Sequence, residues 1–582
     1  MPDAVAIRVD PEPIHTASAP DTWWRHAVIY QIYPRSWSDS DGDGIGDLPG
    51  INERFEYLAR LGVDAVWLSP FYVSPQNDGG YDVADYRDVD PVFGRLEDAD
   101  KLIATAHDYG IRIIIDLVPN HSSSEHPWFQ AALRAAPGSR ERARYIFRDG
   151  KGASGELPPN NWLSNFGGPG WTRVTEADGR LGQWYLHIFD VTQPDFDWNN
   201  DEVRAEMEAV MRFWLDRGID GFRIDVAHGL VKRAGLPDGV TRQQPTGEPT
   251  SSQPMWDQPG VHEIYRAWRN LLNSYNASGP GAEIADEDRI LCAEAWVHPP
   301  EALARYVRPD ELHQSFNFDF LLAPWLAPEL REVIEHTMRV ADDVGAPQTW
   351  VLSNHDVVRY ATRLGYPARA GLLRLSGIGA DDPQPDAALG LRRARAAAAI
   401  MLALPGSCYL YQGEELGLPD ATQLPDEVRQ DPTWRRSGHT QRGRDGCRVP
   451  LPWLAGSPSY GFGPTARSWL PQPESFRELA VDRQDGVHGS TLELYRAYLS
   501  ARREHGLGHG GLYRVDGYPD DVLAFVNAPS DNDRLILLLA NLGPEPVPLP
   551  KGAQIIVASN PLTDDGRVPT DVAVWAALAA TG

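Results

Sequence analysis

Cysteine is scarce in this chain: 3 of its 582 residues are Cys, and their spacing fits neither a disulfide framework nor a metal site. Long apolar runs are absent too, because no stretch of about 18 apolar residues occurs, so a transmembrane helix is not predicted. The opening residues lack the basic region and apolar core of a signal peptide. These absences together predict a protein of a reducing compartment, the cytoplasm.

Positive charge is also in short supply. The chain has 54 Lys and Arg against 81 Asp and Glu, which gives a formal net charge of −27 at pH 7. A surface of this sign repels nucleic-acid phosphates and anionic membrane headgroups, so neither is an expected partner. We expect a small-molecule partner and a monomer or weak homo-oligomer. Aromatic residues are plentiful, with 19 Trp and 21 Tyr, and they suit sugar faces as well as apolar cores.

Short apolar strand patterns alternate with helix patterns along most of the chain. Several strand patterns are apolar on both faces, as in covered parallel sheets. The helix patterns between the first strands end in Gly62, Gly110 and Gly218, the residue type that commonly follows a helix. This alternation predicts a (β/α)8 TIM barrel, with a doubly wound sheet as the alternative. The eight strand patterns are 27–34, 64–70, 110–121, 218–225, 289–295, 313–320, 349–356 and 406–415.

The spacing breaks after the third strand pattern, where roughly 100 residues precede the fourth, far more than one crossover helix needs. This segment is rich in Gly, Pro, Asn and Trp and predicts a small inserted domain. Long polar inserts also follow the fourth strand (234–260) and the eighth (416–487). Alternating apolar patterns near the end predict an antiparallel β domain. The expected division is a flexible tail at 1–22, the barrel at 23–120 and 196–505, the inserted domain at 121–195 and the C-terminal β domain at 506–582.

Charged side chains interrupt the fourth strand pattern, "IDGFRIDVAH". Arg223 and Asp225 lie two residues apart and therefore share one face of a strand. An adjacent Arg favours the ionised form of a carboxyl, although a structural ion pair in the core is the alternative for this motif alone. Other polar residues also stand at predicted strand ends, where the chemistry of such barrels gathers. They are Asp116, Asn120, His121, Glu294, Asn354, His355 and Asp356, with Asp82 in the loop after the second strand.

Two carboxylates that flank one bond are the arrangement used for glycoside hydrolysis. Asp225, beside Arg223, is expected to stay ionised, which suits a nucleophile. Glu294 lies between small and apolar residues in "CAEAW", where partial desolvation would raise its pKa and suit a general acid. The environment of the two acids thus predicts their division of roles.

The motifs as a set resemble the α-amylase family of glycoside hydrolases, and within it the α-glucosidases of the oligo-1,6-glucosidase and maltase branch. The matching segments are "DLVPNHSS", "QPDFDW", "GFRIDVAH", "CAEAW" and "VLSNHD", and the resemblance covers about 25–582. It implies that Asp225 is the nucleophile, Glu294 the acid/base, and Asp356 the third carboxylate, which holds the sugar in its distorted form. The residues that the resemblance implies as sugar ligands are Asp82, His121, Arg223, His355 and Arg444, with Arg448 near the aglycone.

An acidic loop near the start, "DSDGDGIGD", has the spacing of a calcium-binding loop with Gly44 at its turn. Position 12 of the loop is Gly50 rather than Glu, so the bidentate ligand is missing, and a plain acidic turn is the alternative. Similar α-glucosidases carry a divalent cation here, so we expect a structural Ca²⁺, with Mg²⁺ as the alternative. The expected oxygen donors are Asp39, Asp41, Asp43, the carbonyl of Ile45 and Asp47.

The sequence therefore predicts a retaining, exo-acting α-glucosidase that hydrolyses maltose and short oligosaccharides, with an α-1,4 preference. Asp82 and Arg444 are expected to close the far wall of its pocket. One alternative is a transglycosylase or isomerase, such as a trehalose synthase or a sucrose isomerase. Another is an α-1,6-preferring oligo-1,6-glucosidase, which Val226 after the nucleophile favours and the neighbouring segments do not. A non-catalytic binding scaffold is a third, which the retention of all three acids disfavours.

Overall fold

The computed structural model of the chain describes residues 7–18, 22–176, 178–239, 253–276, 288–371, 377–529 and 534–578. Residues 240–252, part of the long insert expected after the fourth strand, lie outside the described residues. The strands, numbered along the chain, are β1 (Arg8–His15), β2 (Val28–Ile32), β3 (Ala65–Leu68), β4 (Tyr72–Val73), β5 (Asp85–Val89), β6 (Arg112–Leu117), β7 (Phe147–Arg148), β8 (Trp171–Thr175), β9 (Leu181–Leu186), β10 (Gly221–Ile224), β11 (Ile290–Ala293), β12 (Gln314–Ser315), β13 (Thr349–Val351), β14 (Ser407–Tyr411), β15 (Gly511–Asp516), β16 (Val522–Ala528), β17 (Ile536–Asn541), β18 (Gln554–Ala558) and β19 (Val572–Ala577).

Helices occupy most of the connections between the barrel strands. They are α1 (Leu48–Asn52), α2 (Phe55–Leu61), α3 (Leu96–Asp108), α4 (Pro127–Arg134), α5 (Asp201–Leu215), α6 (Val261–Asn276), α7 (Pro300–Ala304), α8 (Phe318–Leu322), α9 (Ala327–Val344), α10 (Tyr360–Arg363), α11 (Ala387–Ala403), α12 (Pro432–Arg436), α13 (Val481–Gln484) and α14 (Thr491–Glu504).

Eight parallel strands form the central sheet, in the order β12-β11-β10-β6-β3-β2-β14-β13. The sheet closes on itself where the backbone N–H of Asn317, just after β12, donates to the carbonyl of Thr349 in β13 at 2.9 Å. A parallel bridge between Asn317 and Trp350 lies at the same place. The predicted (β/α)8 barrel is therefore confirmed, and a doubly wound sheet, which would stay open, is excluded.

Alternate residues of the barrel strands enter two different apolar clusters, as the two-residue period of a strand requires. Ile29, Trp67 and Ile114 belong to the cluster inside the barrel. Their neighbours, such as Val28 and Val66, belong to the larger cluster that the strands share with the surrounding helices. This double burial explains why the strand patterns are apolar on both faces.

The ends of the helices follow their local sequence. The side chain of Asn200 accepts a hydrogen bond from the N–H of Glu202 and so caps α5, as its position before the helix pattern predicts. Gly62 follows α2 with a φ of 93°, a conformation in which a side chain would be strained. Gly62 thus ends α2 where the chain turns into the next barrel strand, β3.

A three-stranded antiparallel sheet, in the order β7-β9-β8, forms the core of the inserted segment. The segment leaves and re-enters the barrel side by side, since His121 and Asp195 form an antiparallel bridge. Trp162 and Trp171 of this segment pack in one apolar cluster with Val226 and Trp256, which follow β10. The inserted segment therefore covers the loop that leaves the fourth barrel strand.

A six-stranded antiparallel sheet, in the order β1-β15-β16-β17-β19-β18, contains the last strands of the chain. One of its two edge strands is β1, whereas we expected residues 1–22 to form a flexible tail. The sequence hides this strand because Pro11 and Pro13 interrupt its pattern, and proline is tolerated in a sheet mainly at an edge. His15, at the end of β1, lies 2.8 Å from a carboxylate oxygen of Asp342 in α9. The expectation of a loose tail is thus corrected for residues 8–15.

Two expectations from the scarcity of cysteine and of apolar runs can be compared with the structure. Cys292, Cys408 and Cys447 are all buried, and none forms a disulfide. Among the described residues, no helix combines the length and apolar character needed to cross a membrane.

Deletion of residues 1–16 should lower the Tm by roughly 2 °C, because it exposes the edge of β15 and removes the contact between His15 and Asp342. Catalytic turnover per folded molecule should not change, since β1 contacts β15 and α9 rather than the barrel mouth. Differential scanning calorimetry of both proteins measures the shift, with Asp342→Asn as a control that breaks only the ion pair. An unchanged Tm would contradict a stabilising role for β1.

Candidate active site

The C-terminal ends of three barrel strands bring three of the expected acids together. In the parallel register, Arg223 of β10 stands beside Asp116 of β6 and Cys292 of β11. Asp225 follows β10 directly, and Glu294 follows β11, where its N–H donates to the carbonyl of Ile224 at 2.9 Å. Acids that are far apart in sequence thus meet at one mouth of the barrel.

Arg223 is the cation around which these acids are arranged. Its Nη1 donates to Oδ1 of Asp116 and to Oδ1 of Asp225, both at 2.7 Å. Its Nη2 lies 3.7 Å from Oε2 of Glu294. The side chain is only 1% exposed and its guanidinium lies over the indole of Trp67, 5.0 Å from the ring centre. A buried cation without partners would be strongly destabilising, so the arginine and the acids require one another.

Asp225 and Glu294 both resist ionisation. Burial raises the pKa of Asp225 well above its usual range and Glu294 adds to the rise, while Arg223 opposes it. Burial likewise raises the pKa of Glu294, again against Arg223 and the N–H of Val226. We expected Arg223 to dominate at Asp225; the sequence does not reveal how completely this carboxyl is buried beside a second acid. Two neighbouring buried carboxyls favour sharing one proton, and the shorter contact of Arg223 favours the proton on Glu294.

Val226 fixes the orientation of Glu294. Its N–H donates to Oε2 of Glu294 at 2.8 Å, and the N–H of Ala227 donates to the carbonyl of the same glutamate at 2.9 Å. Val226 has a φ of 46°, which is strained for a β-branched residue. The strained turn after β10 therefore holds the carboxyl of Glu294 beside Asp225.

Asp356 differs from the other two acids because cations surround it. Its Oδ1 accepts hydrogen bonds from Nη1 of Arg444 and Nη2 of Arg448, both at 2.9 Å. His355 lies 3.3 Å from Oδ2. Burial alone would raise the pKa of Asp356, but the charges of Arg444 and Arg448 outweigh it and the pKa lies below its usual range. Asp356 is therefore ionised in the folded protein near neutral pH.

Two buried histidines line the same mouth as neutral groups. The ring of His355 stacks between Tyr33 and Tyr81, with centroid distances of 5.8 and 5.2 Å. Nε2 of His121 lies 3.1 Å from the carbonyl of Tyr81 and 3.2 Å from Nε2 of Gln193. Burial lowers the pKa of His121 to about 4 and that of His355 well below its usual range. Neutral imidazoles of this kind exchange hydrogen bonds with hydroxyl groups.

Asp82 does not reach the pocket, which corrects its expected role as a sugar ligand. It is fully buried; its Oδ1 accepts from the hydroxyl of Ser74 at 2.9 Å and from the N–H of Asp78 at 3.2 Å. Its Oδ2 accepts from the N–H of Asn77 at 2.9 Å. Both carboxylate oxygens thus brace the loop between β4 and β5, and the turn of this loop directs Asp78 towards the mouth instead.

Asp78 occupies the position expected for Asp82. Its Oδ1 accepts from Nη2 of Arg444 at 2.5 Å and its Oδ2 from Nε2 of Gln193 at 3.0 Å. Sequence reasoning missed both residues. The available signals were a second acid four residues before Asp82 and the position of Gln193 at the start of "QPDFDW", a motif that marks a family without showing which side chain reaches the site.

Lys232 is a further residue that the sequence did not single out. Its ammonium donates to Oδ1 of Asn120 at 2.7 Å and lies 2.9 Å from Oδ2 of Asp195. It also donates to the carbonyl of Gly229. This buried cation therefore joins the loop that carries His121, the inserted segment and the loop after β10.

The acidic loop brings together three of the five expected metal ligands. Carboxylate oxygens of Asp39, Asp41 and Asp43 lie within 4.8 Å of one another, close enough to share one cation. Asp47 instead caps α1, since its Oδ1 accepts from the N–H of Gly50 at 2.6 Å. The N–H of Ile45 donates to Asp43 at 2.7 Å, which fixes the turn.

The donor set of this loop fits a divalent cation. Burial raises the pKa of Asp39, although the N–H groups of Gly42 and Gly44 oppose the rise; Asp43 and Asp41 add to it. A hard cation would relieve the repulsion among the three carboxylates, and oxygen is the ligand atom that Ca²⁺ and Mg²⁺ prefer.

Comparisons with known proteins agree with this geometry. The protein-family model described as the α-amylase catalytic domain matches residues 31–510 of this chain. A Rhizobium meliloti protein named "Probable alpha-glucosidase" is 38% identical over 494 residues, which are 83% of this chain and 82% of the relative. Maltase A2 of Drosophila melanogaster is 32% identical and covers 89% of this chain and 87% of its own. Oligo-1,6-glucosidase of Parageobacillus thermoglucosidasius is also 32% identical, with coverages of 89% and 90%.

Two solved structures resemble the whole chain. The α-glucosyl transfer enzyme XgtA has a TM-score of 0.78 and 34% identity, and the alignment covers 96% of this chain and 99% of that enzyme. A single-substitution mutant of the trehalulose synthase MutB, in complex with Tris, has a TM-score of 0.80 and 29% identity, with coverages of 96% and 100%.

The contrast between Asp78 and Asp82 can be tested with a matched pair of variants. Asp82→Asn places an amide donor against backbone and hydroxyl donors, so it should reduce stability by about 1–3 kcal/mol. Asp78→Asn should reduce stability less, because Arg444 keeps its contacts with Asp356. The predicted α-glucosidase activity should instead fall more in Asp78→Asn than in Asp82→Asn. Thermal unfolding and initial rates measure the two effects, and equal losses in both assays would contradict the separate placement of the two acids.

Proposed function

This chain belongs to the α-amylase family of glycoside hydrolases, and we propose that within it the protein is a retaining, exo-acting α-glucosidase. Its substrates would be maltose and other short oligosaccharides, from which it removes the terminal non-reducing α-linked glucose. The observation that carries the proposal is the pair of buried acids, Asp225 and Glu294, beside Arg223, with the ionised Asp356 across the same mouth.

The proposed reaction has two steps, each with Glu294 as the proton carrier. In the first, the carboxylate of Asp225 attacks the anomeric carbon while Glu294 gives its proton to the leaving glycosidic oxygen. In the second, Glu294 takes a proton from water, which displaces Asp225 from the covalent glucosyl intermediate. Two inversions at the same carbon keep the α configuration. Asp356, ionised near neutral pH, would accept hydrogen bonds from hydroxyls of the distorted sugar.

The exo-acting preference rests on the wall formed by Asp78 and Arg444. Their side chains are ion-paired, and Phe166 of the inserted segment lies 5.1 Å from the guanidinium of Arg444. Such a wall suits a pocket that encloses one terminal glucose and excludes the interior of a polymer. Within this proposal we favour the α-1,4 linkage, which the maltase relatives support; the relatives named oligo-1,6-glucosidase support α-1,6.

Glucosyl transfer is the second candidate, because the α-glucosyl transfer enzyme XgtA aligns with nearly the whole chain at 34% identity. Transfer would share the first step, and a sugar hydroxyl would replace water in the second. Incubation with maltose or sucrose alone separates these reactions: a transferase forms trisaccharides and longer products together with a monosaccharide, an isomerase forms an isomeric disaccharide, and a hydrolase forms monosaccharides without new oligosaccharides.

We also propose that Asp39, Asp41 and Asp43 hold a structural Ca²⁺, with Mg²⁺ as the alternative and the Ile45 carbonyl as a further oxygen donor. The proximity of the three carboxylates supports this site. A cytoplasmic location and a monomer or weak homo-oligomer are further proposals, and the three buried thiols without a disulfide are compatible with that compartment.

Asp225→Asn and Glu294→Gln should each lower kcat on maltose by about 10³-fold or more. The loss in Glu294→Gln should be smaller on p-nitrophenyl α-glucoside, whose leaving group needs no protonation, whereas the loss in Asp225→Asn should be equal on both substrates. Glucose release measures the rates, and proton NMR of the first product should show α-glucose before it mutarotates.

The stability of these variants serves as the control, because removing one of two neighbouring buried acids should leave the Tm unchanged or raise it. Near-normal turnover by Asp225→Asn, β-glucose as the first product, or rapid loss of iodine staining from amylose would each refute part of the proposal: the nucleophile, the stereochemistry or the closed pocket.

Chelation should lower the Tm of the protein more than it lowers the initial rate. A ligand at a hundred times its Kd that binds only the folded state contributes about 2.7 kcal/mol of stability, and EDTA would remove this contribution. Asp41→Asn, which weakens the donor set, should have a lower Tm that EDTA changes little. Immediate loss of activity at an unchanged Tm, restored by the metal, would instead indicate a catalytic ion.

A further inference from the structure

Arg444 divides its hydrogen-bond donors between two sides. Its Nη1 and Nη2 reach Asp356 at 2.9 Å and Asp78 at 2.5 Å, on the side of the pocket. Its backbone N–H and its Nε both donate to Oδ2 of Asp431, at 2.8 and 2.6 Å, on the opposite side. One carboxylate oxygen outside the catalytic set thus binds both the main chain and the side chain of the arginine.

Asp431 is itself held rigidly. Its side chain is fully buried; its Oδ1 accepts from the N–H of Thr433 at 2.7 Å, and its own N–H donates to Oδ2 of Asp445 at 3.1 Å. Gly443, with a φ of 71°, permits the close approach of the two segments, because a Cβ at this position would lie 2.7 Å from Cγ of Asp431. Burial alone would raise the pKa of Asp431, but Arg444 and Arg448 lower it to about 2, so the carboxylate is charged at neutral pH.

We propose that Asp431 is a positioning residue for glucose recognition: it sets the rotation of the Arg444 guanidinium, so that both Nη groups form the far wall of the glucose pocket. The inference rests on the proposed α-glucosidase function. A guanidinium is a planar fork, so an acceptor fixed at Nε determines where the two Nη groups point. Without this acceptor, Arg444 would keep its attraction to Asp78 and Asp356 but lose its fixed orientation.

The loss of this orientation should affect binding of the glucose ring more than the chemical step. Arg444 contacts Asp356 and Asp78, whereas Asp225 and Glu294 are arranged around Arg223 on the other strands. Neutralising Asp431 should therefore raise KM and the Kd of ligands that fill only the glucose pocket, with a smaller effect on kcat and on the two limbs of the pH profile. A purely structural role would lower Tm without this split.

The test compares Asp431→Asn with the wild type by calorimetric titration of glucose and 1-deoxynojirimycin and by the kinetics of maltose hydrolysis. Kd and KM should each rise about tenfold or more, the size expected for loss of a charged hydrogen bond. Asp426→Asn is the matched control: it makes the same change in the same loop, and Asp426 pairs with Arg429 and Arg442 instead of Arg444. This control should leave both constants unchanged.

A second variant tests the geometry without changing the charge. Gly443→Ala places a methyl group against the carboxylate of Asp431 and should raise the same Kd and KM, which decides the matter if Asp431→Asn fails to fold. Unchanged constants in a folded Asp431→Asn, or an equal rise in Asp426→Asn, would overturn the inference while the α-glucosidase proposal stands. A wild type that neither binds glucose nor cleaves any α-glucoside would overturn the proposed function itself, and this inference with it.

Discussion

The burial of one guanidinium, that of Arg223, is the constraint on which the rest of the site depends. A fully buried cation requires counter-charges, and the parallel register of β10 with β6 places Asp116 within reach on one side. Asp225, just after the end of β10, supplies the second contact, and Glu294 approaches from the end of β11. The barrel thus assembles an excess of acid over base in its own interior, and only the surrounding structure prevents these acids from separating.

The distribution of cations then sets a different protonation state for each acid. Arg223 is shared among three carboxyls, and its single positive charge is not enough to keep Asp225 and Glu294 ionised at the same time. Asp356 receives two arginines of its own and stays ionised. The histidines between them are buried deeply enough to remain neutral. A protonated carboxyl and an ionised one, Asp356, therefore lie at the same mouth, because different numbers of arginines contact them.

The features set by strand periodicity were predictable from the sequence. The barrel with its eight strands follows from short apolar patterns that alternate with helix patterns. The meeting of Asp225, Glu294 and Asp356 follows because each of these acids stands at the end of a strand pattern. The loop that carries Asp82 has no such period, and the direction of each side chain depends on a turn that places Asp78 in the pocket instead. The strand β1 was not predicted because its two prolines interrupt the alternating pattern of a strand. The pKa of Asp225 could not be judged because burial is a property of the whole fold; the catalytic and metal-binding roles stay predictions.

The pairing of β1 with β15 has a consequence for how the protein is made. Arg8 stands opposite Asp516 in the sheet, so the first strand has no partner until the ribosome has added roughly 500 further residues, a wait of about half a minute or more at ordinary rates of synthesis. During that time its prolines and acidic residues keep it poorly suited to pair with strands of other nascent chains. The features that hid this strand from sequence reasoning therefore also protect it while it waits.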